Sequence, residues 1–244
     1  MATALRDARD VLLPGRDERH GPLPPVLLAL TVVTGLVNAF SYLALGHVFV
    51  ANMTGNVVFM AFSLAGVPGF SLAASLVALA AFAAGALAGG RMAHGAAGHR
   101  GRVLLGAVAL QTVLTLVAYA VSRLVGHPSS GGGRYALIGL LGLAMGGQNA
   151  AARRIAVPDL TTTVLTLTIT GIAADSGAVG GPGSRIGRRL LSAAAMFLGA
   201  LAGALVVRHG DARFTLLAAG VLLAVVTVAA RGFGRSTLGW TSAG

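Results

Sequence analysis

Long apolar segments separated by short polar linkers occupy most of this 244-residue chain. No Asp, Glu, Lys or Arg occurs between Pro22 and Gly90, and about 20 apolar residues are enough to cross the hydrocarbon core of a bilayer. The pattern predicts an all-α, polytopic transmembrane helix bundle. It contains eight apolar segments, at about 26–45, 48–67, 71–90, 103–122, 135–152, 160–174, 187–207 and 214–230.

Two short polar islands lie among these apolar segments. The first polar island is GHVFVANMTGN (residues 46–56), and the second is VPDLTTTVLT (residues 157–166). Each follows an apolar segment that contains an Asn-Ala pair, at Asn38 and at Asn149. We expect a helix to begin inside each island, because Asn, Thr and Asp are favoured caps and Pro is excluded from a helix interior.

A second pair of matches indicates a two-fold internal repeat. The string Gly-Ala-Leu-Ala-Gly occurs at 85–89 and again at 199–203, an offset of 114 residues, and the Asn-Ala pairs are offset by 111. The boundaries predict repeat A at 26–122 and repeat B at 135–231. The G-x-x-x-G spacing of these strings allows close helix packing, and we expect the third and seventh segments to pack by them, against each other.

The distribution of arginine distinguishes two topologies. If the segments with the islands re-enter on one side, six segments cross, and 14 of the 18 basic residues lie inside with 4 outside. If all eight segments cross, the division is 11 to 7. The positive-inside rule favours the first arrangement, with oppositely oriented halves and a cytoplasmic N-terminus. The second segment is long enough to cross, so a parallel repeat with eight crossings stays open.

The polar ends complete the domain organisation. Residues 1–25 mix Arg with Asp and Glu and are predicted to form a cytoplasmic tail ahead of a transmembrane domain at 26–232. The first apolar segment is too long for the core of a signal peptide and is expected to remain as the first helix. Residues 233–244 are predicted to form a second cytoplasmic tail.

Composition narrows the chemistry. All 18 basic residues are arginine, and the net charge is +11. These arginines lie between apolar segments, as the positive-inside rule requires, so we expect no nucleic-acid partner. The chain has no cysteine, and its six histidines show no metal-ligand spacing. We therefore expect no metal and no cofactor. No hydrolase or nucleotide-binding motif occurs, and no enzymatic activity is predicted.

A small-solute path is the leading functional prediction. Unwound backbone at membrane depth is tolerated where it is buried in protein or lines a wet cavity. Amide and hydroxyl side chains in and near the islands are the candidate path residues: Asn38, Asn52, Thr54, Asn56, Gln148, Asn149, Thr162, Thr163 and Thr166. The absence of a carboxylate deep in any segment favours a passive facilitator or channel over a pump.

The structural alternative is that the same side chains only join helices by hydrogen bonds. The protein would then be a membrane scaffold or assembly subunit without transport. The expected partners are the lipid bilayer, an unidentified small solute and, as a homo-oligomer, further copies of the chain. Abundant Ala and Gly with arginine as the sole basic type indicate a bacterial source, and hence the inner membrane.

The first polar island and the segment before it resemble the YoaK family of bacterial inner-membrane proteins, a domain of unknown function. The resemblance rests on GLVNAFSYL at 35–43, VFVANMTGN at 48–56, MGGQNA at 145–150 and TTVLT at 162–166. It implies a polytopic membrane protein and no established activity. The family pattern often has an acid where this chain has Asn38, so the resemblance implies that a coupling step dependent on that acid is absent here.

Overall fold

A computed structural model describes most of the chain as a bundle of α-helices. The described residues are Arg9, Val11–Leu12, 20–96, 98–125, 131–157, Leu160, Thr170 and 186–242. Within them lie α1 (Leu23–Ala44), α2 (Met53–Leu64), α3 (Leu72–Gly95), α4 (Arg100–Leu124), α5 (Gly131–Ile155), α6 (Ile186–His209) and α7 (Arg213–Ala230). Two short 3-10 turns, Phe233–Arg235 and Gly239–Thr241, follow α7.

Helix length separates α2 from the other helices. The helices α1, α3, α4, α6 and α7 are long and apolar enough to cross a membrane. With 12 residues, α2 is about 18 Å long, well short of a hydrocarbon core of about 30 Å. The helical membrane class predicted from the sequence is confirmed, and the second apolar segment contains a short helix after an irregular stretch.

The most extensive helix contacts join the first half of the chain to the second. The helix α3 packs against α5, α1 packs against α6, and α4 lies against both α5 and α7. The core of the bundle is therefore formed between sequence-distant helices and not within either half.

Glycines make these contacts close. A Cβ atom added at Gly85 would overlap the backbone of Leu143 in α5, and one at Gly199 would overlap the backbone of Val32 in α1. The expectation that the two G-x-x-x-G strings pack against each other is wrong. Each string instead packs on the first helix of the other half, because the halves interdigitate.

The start of α1 and the segment after α7 share one end of the bundle with the α3–α4 linker. The ring of Trp240 lies over Gly21, where an added Cβ would come within 2.6 Å of it, and it meets the ring of Phe233 edge-on. The Nε2 of His99 donates to the carbonyl of Ser236 at 3.0 Å. The start of α1, the start of α4 and the segment after α7 therefore lie together.

The opposite end brings other helix termini together. The guanidinium of Arg134, at the start of α5, donates to the carbonyl oxygens of Leu45 (2.7 Å) and Gly46 (3.0 Å), just after α1. The guanidinium of Arg213, at the start of α7, reaches the carbonyl of Val125 after α4 at 3.4 Å. Since α1 ends where α5 begins, α1 and α5 run antiparallel.

Candidate functional site

The first polar island forms a hairpin that returns to the end of the bundle from which it starts. The Nδ1 of His47, just after α1, lies 3.1 Å from the carbonyl oxygen of Gly69, just before α3. His47 has a left-handed φ of 57°, which turns the chain just after α1. The irregular stretch and α2 therefore lie between two points that are in contact.

A single buried side chain holds the irregular stretch against α2. Asn56 is fully buried, and its Oδ1 accepts from the N–H of Phe49 at 2.9 Å, while its Nδ2 donates to the carbonyl of Phe49 at 2.6 Å. Its amide therefore pairs with the unwound backbone as a neighbouring strand would. Val48 and Val50, on either side of Phe49, are buried in the core. The backbone groups of Phe49 need partners at such a place, and the amide of Asn56 supplies them.

The helix α2 begins at the predicted place, with Asn52 at the N-cap position and no side-chain capping bond. Asn52 and Thr54 are exposed, unlike Asn56. Their polar groups lie beside the free N–H groups of the first turn, where the helix dipole is positive. The described part of the bundle therefore leaves these two polar side chains uncovered.

Aromatic rings surround this hairpin. Tyr42 stacks on Phe49 with centroids 4.9 Å apart and meets the ring of His47 at 5.1 Å. Phe59 and Phe70 lie 5.1 Å apart and continue the cluster. Ring contacts of this kind add stability beyond the burial of apolar area, and they tie α1, α2 and the start of α3 together.

A stripe of polar residues runs along one face of α1. It consists of Thr31, Thr34, Asn38 and Ser41, at helical spacings of three and four residues. The hydroxyls of Thr31 and Thr34 each donate to the carbonyl four residues earlier, at 2.8 and 2.9 Å. The Oδ1 of Asn38 is buried and accepts no hydrogen bond from the described part of the chain.

Two glutamines connect this stripe to the centre of the bundle. The Nε2 of Gln111 in α4 donates to the Oε1 of Gln148 in α5 at 2.6 Å. The Nε2 of Gln148 donates to the Oγ1 of Thr34 at 3.0 Å. Both glutamines are 1% exposed. We call this hydrogen-bonded set of Gln111, Gln148 and Thr34 the amide relay.

The sequence interpretation missed two members of this site. Gln111 is an amide inside the charge-free segment at 103–122, and the criterion that selected Gln148 selects it as well. Thr34 gave no such signal, since threonine is common in membrane helices. Its contact with Gln148 depends on the packing of α1 near α5.

The remaining predicted residues divide into two groups. Asn149 lies in α5, and its Nδ2 donates to the carbonyl of Met145 one turn earlier at 3.1 Å. Thr162, Thr163 and Thr166 in the second polar island lie outside the described residues. Of the predicted set, Gln148 and Asn38 lie at the polar stripe of α1, and Asn52, Thr54 and Asn56 lie at the hairpin.

The amide relay and the polar stripe of α1 together form what we call the polar centre, and in the described part of the chain it consists of uncharged groups. None of the seven helices contains an Asp or Glu, and the described ranges bring together no three His, Cys, Asp or Glu side chains that could hold a metal. Such a centre offers amide and hydroxyl hydrogen bonds without a fixed charge. It suits recognition of polar, neutral groups.

Comparison with known proteins agrees with this architecture. The family model described as "Protein of unknown function (DUF1275)" matches residues 26–229. The UPF0700 transmembrane protein YoaK of Bacillus subtilis (strain 168) is 30% identical over 151 residues, which span 62% of this chain and 65% of that relative. The match therefore covers less than two thirds of the relative's own length. No solved structure matches the chain.

The family match spans the region from α1 to the end of α7, and the relative is itself a transmembrane protein. The resemblance seen in the sequence is thereby confirmed, together with a multi-pass membrane protein. The chain belongs to the YoaK family, DUF1275, whose function is unknown.

Proposed function

We propose that this protein is a small-solute transporter or channel of the bacterial inner membrane, built from two inverted repeats. The observation that carries the proposal is the hairpin, in which α2 follows a buried irregular stretch and both its connections lie at one end of the bundle. Interrupted helices of this kind, in repeated halves, are the architecture in which transporters form their substrate sites.

Paired contacts support the repeat. Gly85 meets Leu143 and Gly199 meets Val32, and the two contacts are related by the same offsets of 114 and 111 residues as the sequence matches. Gly35 packs on Met196, and Gly146 packs on Phe82. The same offsets relate these contacts, 111 residues between the glycines and 114 between their partners. An accidental resemblance of two short strings does not require equivalent partners in space, whereas a duplication does.

The centre of the bundle carries one more equivalent pair. The hydroxyls of Thr112 in α4 and Thr227 in α7 are 2.9 Å apart. Their Oγ1 atoms also lie 2.7 and 2.8 Å from the carbonyl oxygens four residues earlier, of Val108 and Leu223. An offset of 115 residues relates both members, so this contact lies where a two-fold axis between the halves would pass. The antiparallel course of α1 and α5 makes that axis one of inversion across the membrane.

Six crossings follow under this proposal. The five long apolar helices are joined by α5, whose 25 residues extend about 37 Å and pack between α3 and α4. The hairpin leaves the direction of α3 opposite to that of α1, as the 14-to-4 partition of arginine requires. The shared end with Gly21, His99 and Trp240 is then the cytoplasmic end.

Transport would be passive, because the described helices carry no acid that could bind a coupling ion. The exposed Asn52 and Thr54 at the start of α2 and the polar stripe of α1 are the proposed path, with the second polar island as its counterpart. We expect Asn52→Leu, Thr54→Leu and Thr163→Leu each to reduce solute flux into proteoliposomes at least about tenfold, since a hydrogen bond worth about 1.4 kcal/mol corresponds to that factor.

The matched control for this flux experiment is Val58→Leu, an exposed apolar position on the same helix. It should leave flux within about twofold, because no polar group is lost. Unchanged flux in all three island variants, with the protein still folded, would contradict the path.

A scaffold without transport is the second candidate, and the bonding of Asn56 favours it, because the oxygen and the nitrogen of that amide both bond to the backbone of Phe49. Under this reading every island substitution destabilises the fold, and wild-type proteoliposomes admit solutes no faster than empty ones. The exposed Asn52 and Thr54 are the residues for which the two candidates differ.

A further inference from the structure

The single hydroxyl proton of Thr34 sets the donor and acceptor roles along the amide relay. The hydroxyl of Thr34 has one proton, which it donates to the carbonyl of Leu30 at 2.9 Å. Towards Gln148 it can therefore only accept, so Gln148 must present its Nε2 to Thr34. The Oε1 of Gln148 then faces Gln111, which must answer with its own Nε2.

At the end of this relay, one hydrogen-bond acceptor has no donor in the described part of the chain. The Nε2 of Gln111 is shared between Gln148 and the sulfur of Met145, 3.6 Å away, and its Oε1 is buried without a partner in the described part of the chain. The Oδ1 of Asn38 is a second buried acceptor of this kind. It lies one helical turn, about 6 Å, beyond Thr34 on α1. Buried polar atoms without partners are rare in folded proteins.

Resting on the proposed transport function, we infer that the polar centre at Gln111 and Asn38 binds a small neutral solute that donates hydrogen bonds, of the primary-amide, urea or alcohol class. Both unpartnered atoms are carbonyl oxygens, so they call for N–H or O–H groups. The relay prevents Gln111 from rotating its amide to offer a donor instead, because Thr34 fixes the orientation of Gln148.

The uncharged surroundings of the polar centre exclude an ionic solute. A cation on these carbonyls would need a compensating negative charge, because an unpaired ion is costly to bury. The helices that form the centre, α1, α4 and α5, contain no Asp or Glu. An anion would meet two acceptors and no cation, since the arginines of these helices lie in their first or last turns.

Proteoliposome flux with a set of matched probes tests this inference. We expect protein-dependent entry of acetamide, urea and glycerol, measured by stopped-flow light scattering against empty liposomes. N,N-dimethylacetamide, which has no donor, and methylammonium, sodium and chloride, which are charged, should show no protein-dependent entry. Gln111→Met keeps the length of the side chain and removes the free acceptor, and it should reduce acetamide entry about tenfold.

Three further variants separate the site from a general loss of polarity. Thr112→Val removes a hydroxyl from the neighbouring position in α4, outside the relay, and should leave entry within about twofold. Thr34→Val should reduce entry because Gln148 is no longer oriented, and Thr34→Ser should retain it because the hydroxyl remains. The Thr34 pair decides the matter if Gln111→Met fails to fold.

The site, the solute class and the transport function would each be contradicted by a different result. Entry of acetamide that is unchanged in both Gln111→Met and Thr34→Val would overturn the site. Protein-dependent flux of ions, or of water alone, without entry of the neutral probes would overturn the solute class and leave a transport function standing. Absence of any flux through the wild-type protein would overturn the transport proposal, and this inference with it.

Discussion

Replacing Gly85 with alanine is expected to destabilise the bundle strongly. The added Cβ atom would overlap the backbone carbonyl, carbon and Cα of Leu143. Backbone cannot move aside as a flexible side chain can, so α3 and α5 must separate, and they form one of the two most extensive helix pairs. Overpacking a close contact costs about 1–3 kcal/mol when side chains can adjust, and we expect at least about 3 kcal/mol here.

The matched control is Gly90→Ala, five residues later in the same helix, where an added Cβ meets nothing within 4 Å. This change should leave stability unchanged or raise it by up to about 1 kcal/mol, because alanine favours the helical state. The yield of monodisperse protein in detergent and its thermal unfolding midpoint measure both variants. Equal midpoints for Gly85→Ala and Gly90→Ala would show that α3 and α5 are not in close contact.

Asn56→Leu is expected to be the most damaging change in the first polar island. It leaves the N–H and carbonyl of Phe49 unpaired in a buried place, at about 1–3 kcal/mol for each group. We expect a total loss near 3 kcal/mol, seen as a lower unfolding midpoint. Asn52→Leu, at an exposed position with no capping bond, should change the midpoint little while reducing flux.

Asn56→Asp provides the internal control for this prediction. Burial raises the pKa of the introduced carboxyl group, and in its protonated form it can accept from the N–H of Phe49 and donate its O–H to the carbonyl. It should therefore be more stable than Asn56→Leu at low pH, and this advantage should be lost as pH rises and the buried carboxyl group ionises. A midpoint for Asn56→Leu equal to that of Asn52→Leu would contradict the bracing role of Asn56.

The membrane class and the place of the hairpin could be predicted from sequence for simple physical reasons. Charge-free segments of about 20 residues have few alternatives to a membrane helix. The start of α2 at Met53, after Asn52, follows from local chemistry, because Asn is a favoured cap and the preceding Val and Phe residues favour extended backbone. Local signals of this kind do not depend on the rest of the fold.

The roles of individual polar residues could not be predicted in the same way. Asn52 and Asn56 are four residues apart and chemically identical, yet one is exposed and the other fully buried. The difference arises because the chain folds back so that Asn56 reaches Phe49. Likewise, nothing in the sequence near Gln148 identifies Gln111 or Thr34 as its partners, since these come from helices that meet only in the packed bundle.

The central claim is that two oppositely oriented halves interlock around the hairpin of α2, and single cysteines test it most directly. The chain has no native cysteine. Gly95→Cys, exposed at the end of α3, and Leu124→Cys, exposed at the end of α4, mark opposite ends of the bundle. An impermeant thiol reagent applied to intact bacterial cells should label Leu124→Cys and leave Gly95→Cys protected until the cells are opened. With the N-terminus in the cytoplasm, labelling of Gly95→Cys in intact cells and protection of Leu124→Cys would contradict the inverted arrangement and support eight crossings in a parallel repeat.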